Sequence, residues 1–285
     1  MLSGPGPGRR RCGVLGRPIA HSLSPALHRA AYAALGLDWE YDAHDVGEDD
    51  LAAYLEGLDD SWHGLSLTMP LKRAVMPLLD EVSDTARLAG GANTVVLEGG
   101  RRVGDNTDVP GVVGALRERL GGSPDSAIVL GGGATAASVL LGLADLGCSH
   151  ATLLVRDPAR AVATVEAVHR HPTPPLLTVA RLDDLERRVV DADLLVSTIP
   201  AEAQTSGVLS AAAQVGAVFE VVYDPWPTPL AETTLSVGLP LVDGLDLLAH
   251  QAALQVALMT GQRVEVGVLR EAGRAELARR ADSRR

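Results

Sequence analysis

The sequence predicts an α/β protein of two domains. Short apolar runs alternate with longer stretches of helical periodicity along the chain, which is the pattern of βαβ units and parallel sheets. The length of 285 residues suits two domains of roughly 150 residues each. Apolar residues make up 46% of the chain and aromatic residues only 3%, so each core must be built mainly from Ala, Val and Leu.

In the first third of the chain, the pattern predicts five strands and one long helix. The helix, Pro25–Leu35, is indicated by small and apolar residues that share one face. The consecutive Gly99 and Gly100 favour a tight hairpin between two of the strands. The predicted strands are Cys12–Leu15, Trp39–Ala43, His63–Leu67, Thr94–Leu97 and Arg102–Val103.

The alternation becomes very regular in the second part of the chain. A helix is predicted over Pro110–Leu120, with Thr107 or Asp108 as its cap and Gly121–Gly122 as its end. The last part of the chain is predicted to be purely helical. The further predicted elements are the strands Ala127–Leu130, Ala151–Val155, Leu176–Val179, Leu194–Ser197 and Val218–Val222 and the helices Thr135–Leu146, Ala159–Val168, Leu245–Thr260 and Val264–Arg280.

These elements predict one continuous and one discontinuous domain. The regular series forms a domain over residues 108–244. Residues 1–107 and 245–285 form the other α/β domain, which the C-terminal helices close. We expect a cleft between the two, because such clefts are common ligand sites.

A glycine-rich turn opens the first helix of the regular series. It follows the strand that ends at Leu130, and its spacing matches the G-x-G-x-x-G/A fingerprint of dinucleotide-binding domains. Gly131 makes the tight turn, Gly133 allows close approach of a pyrophosphate, and Ala136 allows close helix–strand packing. The spacing therefore predicts a Rossmann-type dinucleotide-binding domain. The candidate cofactor-binding residues of the turn are Gly131, Gly132, Gly133, Ala134, Thr135 and Ala136.

The residues after the second strand of this domain bear on which dinucleotide binds. Arg156 and Arg160 suit the 2′-phosphate of NADP. Asp157 favours NAD instead, since an acid at this point bonds the ribose 2′-hydroxyl. Alternatively, these charged residues are ordinary solvated side chains at the start of a helix. We predict NADP as the cofactor and keep NAD open.

Composition and charge exclude several classes of partner. The formal net charge is −11 and no basic tract occurs, which argues against nucleic acid. No apolar run approaches the roughly 20 residues that span a bilayer, and the opening segment lacks the apolar stretch of a signal peptide. Neither the two cysteines nor the eight histidines show metal-ligand spacing. We therefore expect a cytoplasmic protein without a metal, whose partner is a small molecule.

The first domain carries two polar motifs near predicted strand ends. Ser22 and Ser24 lie between a strand and a helix, where two hydroxyls and a helix N-terminus suit a small carboxylate. Alternatively, Ser24 caps the helix. The segment Thr68–Lys72 follows the third strand, and Lys72 is the only lysine in a chain with 25 basic residues. Lysine can donate and recover a proton, whereas arginine stays protonated.

Taken together, the motifs resemble the shikimate dehydrogenase family, including its quinate/shikimate dehydrogenase relatives. They are spread from Gly16 to Ala252 in the order that the family shows. The matching segments are Gly16–Pro25, Leu67–Lys72, Gly91–Thr94, Gly104–Asp108, the glycine-rich turn, Tyr223–Pro225, Thr228–Leu230 and Gly244–Ala252.

The resemblance implies roles for the residues that match the family motifs. It implies that Ser22 and Ser24 bind the substrate carboxylate, and that Lys72 and Asp108 form the catalytic pair. A helix cap is the other role open to Asp108. The further residues that the resemblance places at or near the substrate are Thr68, Asn93, Gln251 and Tyr223.

The implied reaction is the reversible reduction of 3-dehydroshikimate to shikimate with NADPH, by a monomer or homodimer. Two departures from the family pattern bear on this expectation. Ser66 stands where the family usually has Asn, so no substrate role is assigned to it. Asp157 stands where NADP-specific members have a neutral residue, so an NAD-dependent quinate/shikimate dehydrogenase is the first alternative. The second is a non-catalytic protein that senses shikimate or NADP.

Overall fold

The computed structural model describes residues 10–188 and 192–283. The opening segment, for which the sequence predicts no signal peptide, lies outside the described residues as far as residue 9. The described chain divides into two compact units. Unit 1 comprises residues 10–87, 91–107 and 251–283, and unit 2 comprises residues 88–90 and 108–250, less the segment 189–191.

Unit 1 contains a six-stranded sheet whose strands run in both directions. Its spatial order is the second, first, third, fifth, sixth and fourth strand of the chain. The first strand is parallel to both neighbours, whereas the fifth is antiparallel to both of its own. Gly99 and Gly100, both with positive φ, turn the predicted hairpin. The strands are β1 (Arg10–Gly16), β2 (Trp39–Asp45), β3 (Trp62–Leu67), β4 (Glu81–Val82), β5 (Thr94–Glu98) and β6 (Arg101–Asp105).

Unit 2 contains six parallel strands in a doubly wound order. Numbered within the unit, the strands follow the order 6-5-4-1-2-3, which is the dinucleotide-binding arrangement. The strand order reverses between its first and fourth strands, which are paired neighbours. In such sheets ligands bind at this reversal, beyond the carboxyl ends of the strands. The strands are β7 (Ser126–Leu130), β8 (His150–Val155), β9 (Leu176–Arg181), β10 (Leu194–Ser197), β11 (Ala217–Glu220) and β12 (Leu241–Asp243).

The predicted fold class, two α/β domains of which one is Rossmann-type, is confirmed. The chain divides inside the eleventh helix, after His250. The helices are α1 (Ser24–Ala34), α2 (Glu48–Glu56), α3 (Leu71–Ala74), α4 (Asp84–Ala89), α5 (Asp108–Leu120), α6 (Ala134–Asp145), α7 (Val162–His169), α8 (Leu185–Arg188), α9 (Ser206–Ala212), α10 (Pro229–Ser236), α11 (Gly244–Thr260) and α12 (Val266–Ser283).

The sheet of unit 2 is buried on both faces. Along β7, Ala127 and Val129 belong to one apolar cluster, whereas Ile128 and Leu130 belong to another. This alternation follows from the twofold side-chain period of a strand. Both faces must therefore be apolar, which explains why these strands are continuous apolar runs in the sequence.

Two predicted elements of unit 2 differ from the structure. The helix predicted over Ala159–Val168 is divided, because a 3-10 turn at Pro158–Ala161 precedes α7. The strand predicted over Val218–Val222 ends at Glu220. The Val222 amide there donates to Glu220 Oε1 (3.1 Å) instead of to a neighbouring strand.

Candidate functional site

The turn after β1 presents two serines at the start of α1. The Ser22 amide donates to Ile19 O (2.9 Å), and the Ser24 amide donates to Ser22 Oγ (3.2 Å). Ser24 is the first residue of α1 and its side chain does not cap the helix. The capping alternative is therefore wrong for Ser24. Serine hydroxyls can donate hydrogen bonds to a carboxylate, so this turn suits one. Of the first amides of α1, that of Ser24 already donates to Ser22 Oγ, and Pro25 has no amide hydrogen.

Lys72 lies in the single helical turn α3, directly after β3. The Thr68 amide donates to Leu15 O (3.0 Å), and the Leu71 amide donates to Thr68 O (2.8 Å). The Ala92 amide donates to Lys72 O (2.8 Å). The backbone around the half-buried lysine is thereby held by two neighbouring segments. Such support favours a group that must meet a reacting atom in one geometry.

Asn93 is the centre of a buried hydrogen-bond network in unit 1. Its Nδ2 donates to Thr107 Oγ1 (2.9 Å) and to Gln251 Oε1 (3.2 Å), and its Oδ1 accepts from the Thr107 amide (2.8 Å). Asn93 is 2% exposed and Gln251 is 5% exposed. The structure thus brings together two residues that the resemblance assigns to the substrate, although they lie 158 positions apart.

A second layer of this network was not predicted from the sequence. Gln255 Nε2 donates to Asn93 O (3.1 Å), and Ser66 Oγ donates to Gln255 Oε1 (2.9 Å). Tyr41 OH donates to Ser66 Oγ (2.6 Å), and burial raises the pKa of Tyr41, so the phenol stays a neutral donor. The Ser66 hydroxyl therefore makes its hydrogen bonds to other side chains of the protein. Gln255 follows Gln251 by one helical turn, and this spacing was the signal in the sequence.

Asp108 follows this network directly in the chain. It is the first residue of α5, it is 7% exposed, and it begins the main part of unit 2. The preceding Thr107 is held by Asn93 in unit 1. Of the predicted catalytic pair, Lys72 therefore belongs to unit 1 and Asp108 to unit 2.

The glycine-rich turn joins β7 to α6, as its spacing predicts. Gly131 has a φ of +103°, and a Cβ there would clash with Thr198 Oγ1. A Cβ on Gly133 would meet nothing within 4 Å, which leaves open space at the start of α6. Ala136 is fully buried. The residues present therefore fit a dinucleotide, since the turn is tight, its rim is open and α6 directs amides toward it.

The charged residues after β8 are exposed. Asp157 Oδ1 accepts from the Ala159 amide (3.0 Å) and so caps the 3-10 turn. A structural role for Asp157 thus exists in the protein itself. Arg156 and Arg160 flank it on the exposed surface.

Tyr223 lies in a loop that a buried carboxylate holds. Glu220 is fully buried at the end of β11, and burial raises its pKa. It accepts from Thr228 Oγ1 (3.0 Å), from the Val222 amide and from Gln204 Nε2. This role of Glu220 was not predicted from the sequence. The signal was a charged residue within the apolar run around Glu220.

Neither a metal cluster nor a membrane span is found in residues 10–188 and 192–283. Within these ranges no three His, Cys, Asp or Glu side chains form a group that could hold a metal ion. No helix there is both long enough and apolar enough to cross a membrane.

Comparison with known proteins identifies the family. The shikimate dehydrogenase substrate binding domain matches residues 14–95, and the shikimate 5'-dehydrogenase C-terminal domain matches residues 244–272. A shikimate dehydrogenase (NADP(+)) of Symbiobacterium thermophilum is 37% identical over 95% of this chain and 96% of its own. The chain belongs to the shikimate dehydrogenase family.

Solved structures agree with this assignment to the shikimate dehydrogenase family. The shikimate dehydrogenase of Mycobacterium tuberculosis superposes with a TM-score of 0.84 at 39% identity, covering 93% of this chain and 99% of its own. The quinate dehydrogenase of Corynebacterium glutamicum, in complex with NAD, also has a TM-score of 0.84, at 30% identity, covering 93% of this chain and 98% of its own. Members of this fold thus differ in substrate and cofactor.

Proposed function

We propose that this chain is an NADP-dependent shikimate dehydrogenase, which reversibly reduces 3-dehydroshikimate to shikimate. The observation that carries the proposal is the match, over 95% of the chain, to a relative named shikimate dehydrogenase (NADP(+)). The reaction is an oxidoreduction at a carbon that bears a hydroxyl group.

The proposed substrate site lies in unit 1. Ser22 and Ser24 bind the substrate carboxylate through their hydroxyl groups. Asn93 and Gln251 contact the substrate, and the network with Thr107 already orients both side chains. This arrangement is pre-organised, so little side-chain entropy is lost on binding. Thr68 contributes from the loop before Lys72, and Tyr223 contributes from unit 2.

Lys72 is the proposed proton donor. Reduction of a ketone requires a hydride at carbon and a proton at oxygen, and a bound NADPH supplies the hydride. Lys72 Nζ gives its proton to the developing alkoxide and recovers a proton in the reverse direction. An arginine would stay protonated throughout. Asp108 is the proposed carboxylate partner that orients the ammonium and accepts a hydrogen bond from a substrate hydroxyl.

Unit 2 is proposed to hold the cofactor. The turn Gly131–Ala136 and the first amides of α6 bind the pyrophosphate. Arg156 and Arg160 bind the 2′-phosphate, because arginine forms paired hydrogen bonds with phosphate oxygens. Asp157 caps the turn between them, and its charge weakens binding of the 2′-phosphate by repulsion.

We also propose domain limits, a cellular compartment and an oligomeric state for the enzyme. Residues 1–107 and 245–285 form the substrate domain, and residues 108–244 form the dinucleotide-binding domain. The enzyme works in the cytoplasm as a monomer or homodimer. Two buried free thiols, Cys12 and Cys148, support a reducing compartment. Light scattering during size-exclusion chromatography measures the oligomeric state.

The alternative is an NAD-dependent quinate/shikimate dehydrogenase. It is favoured by Asp157 and by the similarity to the NAD-bound quinate dehydrogenase. The deciding experiment follows the absorbance of the reduced nicotinamide during oxidation of shikimate and quinate, with NADP⁺ and NAD⁺ at equal concentration. Turnover of shikimate with a strong preference for NADP⁺ supports the proposal. Preference for NAD⁺ and quinate supports the alternative, and binding without turnover supports a sensor.

A further inference from the structure

A guanidinium group of the last helix binds the turn that carries Ser22. Arg280 of α12 donates from Nη1 to His21 O and from Nη2 to Ser22 O, both at 2.9 Å. The Arg280 side chain is 18% exposed. Two adjacent carbonyls are thus held by the two ends of one rigid fork, a geometry that lysine cannot reproduce.

A carboxylate on the same helix fixes the orientation of this fork. Arg280 Nε donates to Glu276 Oε1 (2.7 Å). Glu276 also receives two hydrogen bonds of 2.8 Å from Arg279. The two guanidinium groups lower the pKa of Glu276 to about 2, so it remains ionised throughout the neutral pH range.

Ser22 is consequently held at three points. Its amide donates to Ile19 O, its Oγ accepts from the Ser24 amide, and its carbonyl accepts from Arg280. Because a peptide group is planar, a hydrogen bond to the Ser22 carbonyl restrains the orientation of the whole peptide plane between Ser22 and Leu23. The Ser22 backbone thereby keeps its position at the start of α1, and the bond from the Ser24 amide holds Ser22 Oγ there.

The surroundings of Arg280 allow the residue to be changed. It lines a cavity of about 500 Å³ together with Ser22, Arg29 and Glu276. Truncation of the side chain therefore enlarges an existing cavity and does not create one in an apolar core. Arg279 offers a matched control, since it pairs with the same Glu276 but is 69% exposed.

We propose that Arg280, oriented by Glu276, is a positioning residue that holds Ser22 and Ser24 ready for the substrate carboxylate. Arg280 acts through the two carbonyls and does not itself bind substrate. The inference deepens the proposed function and rests on it, because it assigns the carboxylate to this turn.

The test compares steady-state constants of Arg280→Ala, Arg280→Lys and Arg279→Ala. For both Arg280 variants we expect the KM for shikimate to rise about tenfold, with kcat and the KM for NADP⁺ within about twofold of wild type. Arg279→Ala should behave as wild type. An Arg280→Lys variant with wild-type KM would overturn the proposal, because charge alone would then suffice.

Two further variants keep the test informative. Glu276→Gln retains Arg280 but removes the charge that orients it, so a smaller rise in the same KM is expected even where Arg280→Ala folds poorly. Ser22→Ala should raise the KM less in the Arg280→Ala background than in wild type, since the two act on one site. Fully additive effects would overturn the proposal. A wild-type chain that does not turn over shikimate overturns the proposed function and this inference together, whereas normal turnover with unchanged variants overturns only the inference.

Discussion

Lys72 is the only lysine among 285 residues, so its replacement removes the only side-chain ammonium group of the protein. We expect both Lys72→Arg and Lys72→Met to lower kcat by about 10²- to 10⁴-fold, which is the usual contribution of a positioned acid–base group. The arginine variant keeps the positive charge but cannot give up its proton at neutral pH. Stopped or continuous assays of shikimate oxidation measure the loss.

The neighbouring Arg73 provides the control for this prediction. It lies in the same helical turn, α3, and is exposed. Arg73→Ala should leave kcat within about twofold of wild type. A Lys72→Arg variant that retains half or more of the wild-type kcat would remove Lys72 from the proton transfer.

Burial of His28 should make the stability of the protein depend on pH. It is fully buried, its Nδ1 lies 3.1 Å from Ser24 O, and its ring stacks on Tyr41. Burial lowers its pKa from 6.5 to about 4. Between these values the unfolded chain binds more protons than the folded one, so the free energy of unfolding falls as the pH is lowered from 6.5 to 4. The full contribution, about 3 kcal/mol, is present above pH 6.5.

Urea denaturation at a series of pH values tests this dependence. His28→Asn retains a donor near the position of Nδ1 and lacks the titrating ring. The variant is expected to be less stable than wild type at pH 8, with the difference narrowing toward pH 4. Parallel curves for the two proteins across this range would show that His28 does not titrate as expected. Glu276 does not confound the comparison, because it is present in both proteins.

At the scale of single elements, the turn between β7 and α6 contains two glycines whose replacement by alanine should have different effects on stability. Gly131→Ala places a Cβ at positive φ and against Thr198 Oγ1, so we expect a loss of about 2 kcal/mol or more in stability. Gly133→Ala places its Cβ in open space, and stability should change by less than about 1 kcal/mol. Thermal melts of both variants measure this contrast.

In the kinetic assay the order should reverse, with Gly133→Ala as the variant that shows the larger effect. If the open space beside Gly133 receives the pyrophosphate, Gly133→Ala raises the KM for NADP⁺ about tenfold or more, while the KM for shikimate stays near its wild-type value. An unchanged KM for NADP⁺ would mean that the cofactor does not approach this turn closely.

The sequence predicted elements well where burial imposes a strong pattern. The central strands of unit 2 are buried on both faces, so β10 appears as a continuous apolar run and its bounds agree with the prediction. Elements that are short or that bury few side chains were not predicted. β12 has three residues, too few for a period, and α2 buries only Leu51 and Leu55. The antiparallel pairing of β3 with β5 depends on distant contacts and carries no local signal.

The candidate site shows the same division between local motif and distant contact. The glycine-rich turn was predictable because its spacing states its own geometry. The contacts of Asn93 with Gln251 and of Ser22 with Arg280 join residues 158 and 258 positions apart. Asn93 and Gln251 were predicted as site residues only through their match to family motifs. The contact of Ser22 with Arg280 was not predicted, because nothing in α12 distinguishes Arg280 from the arginines beside it.

At the scale of the whole molecule, charge and cofactor choice can be tested together. The chain carries a net charge of −11, which disfavours any anionic ligand unless local groups oppose it. Arg156 and Arg160 are the proposed local groups, and NADP⁺ differs from NAD⁺ by the one phosphate that they would bind. The preference between the two cofactors is therefore a direct measure of this pair.

Ligand binding to the folded chain supplies the measurement. A ligand at one hundred times its Kd stabilises the folded state by about 2.7 kcal/mol, which raises the Tm of a protein of this size by about 5 °C. We expect NADP⁺ to raise the Tm more than NAD⁺ at equal concentration. Replacing both Arg156 and Arg160 by Ala should make the two shifts equal, whereas Lys72→Met should preserve the difference, since it alters the chemistry and not the cofactor site. A larger shift with NAD⁺ would instead assign Asp157 to the ribose, because only an unphosphorylated 2′-hydroxyl can donate a hydrogen bond to that carboxylate.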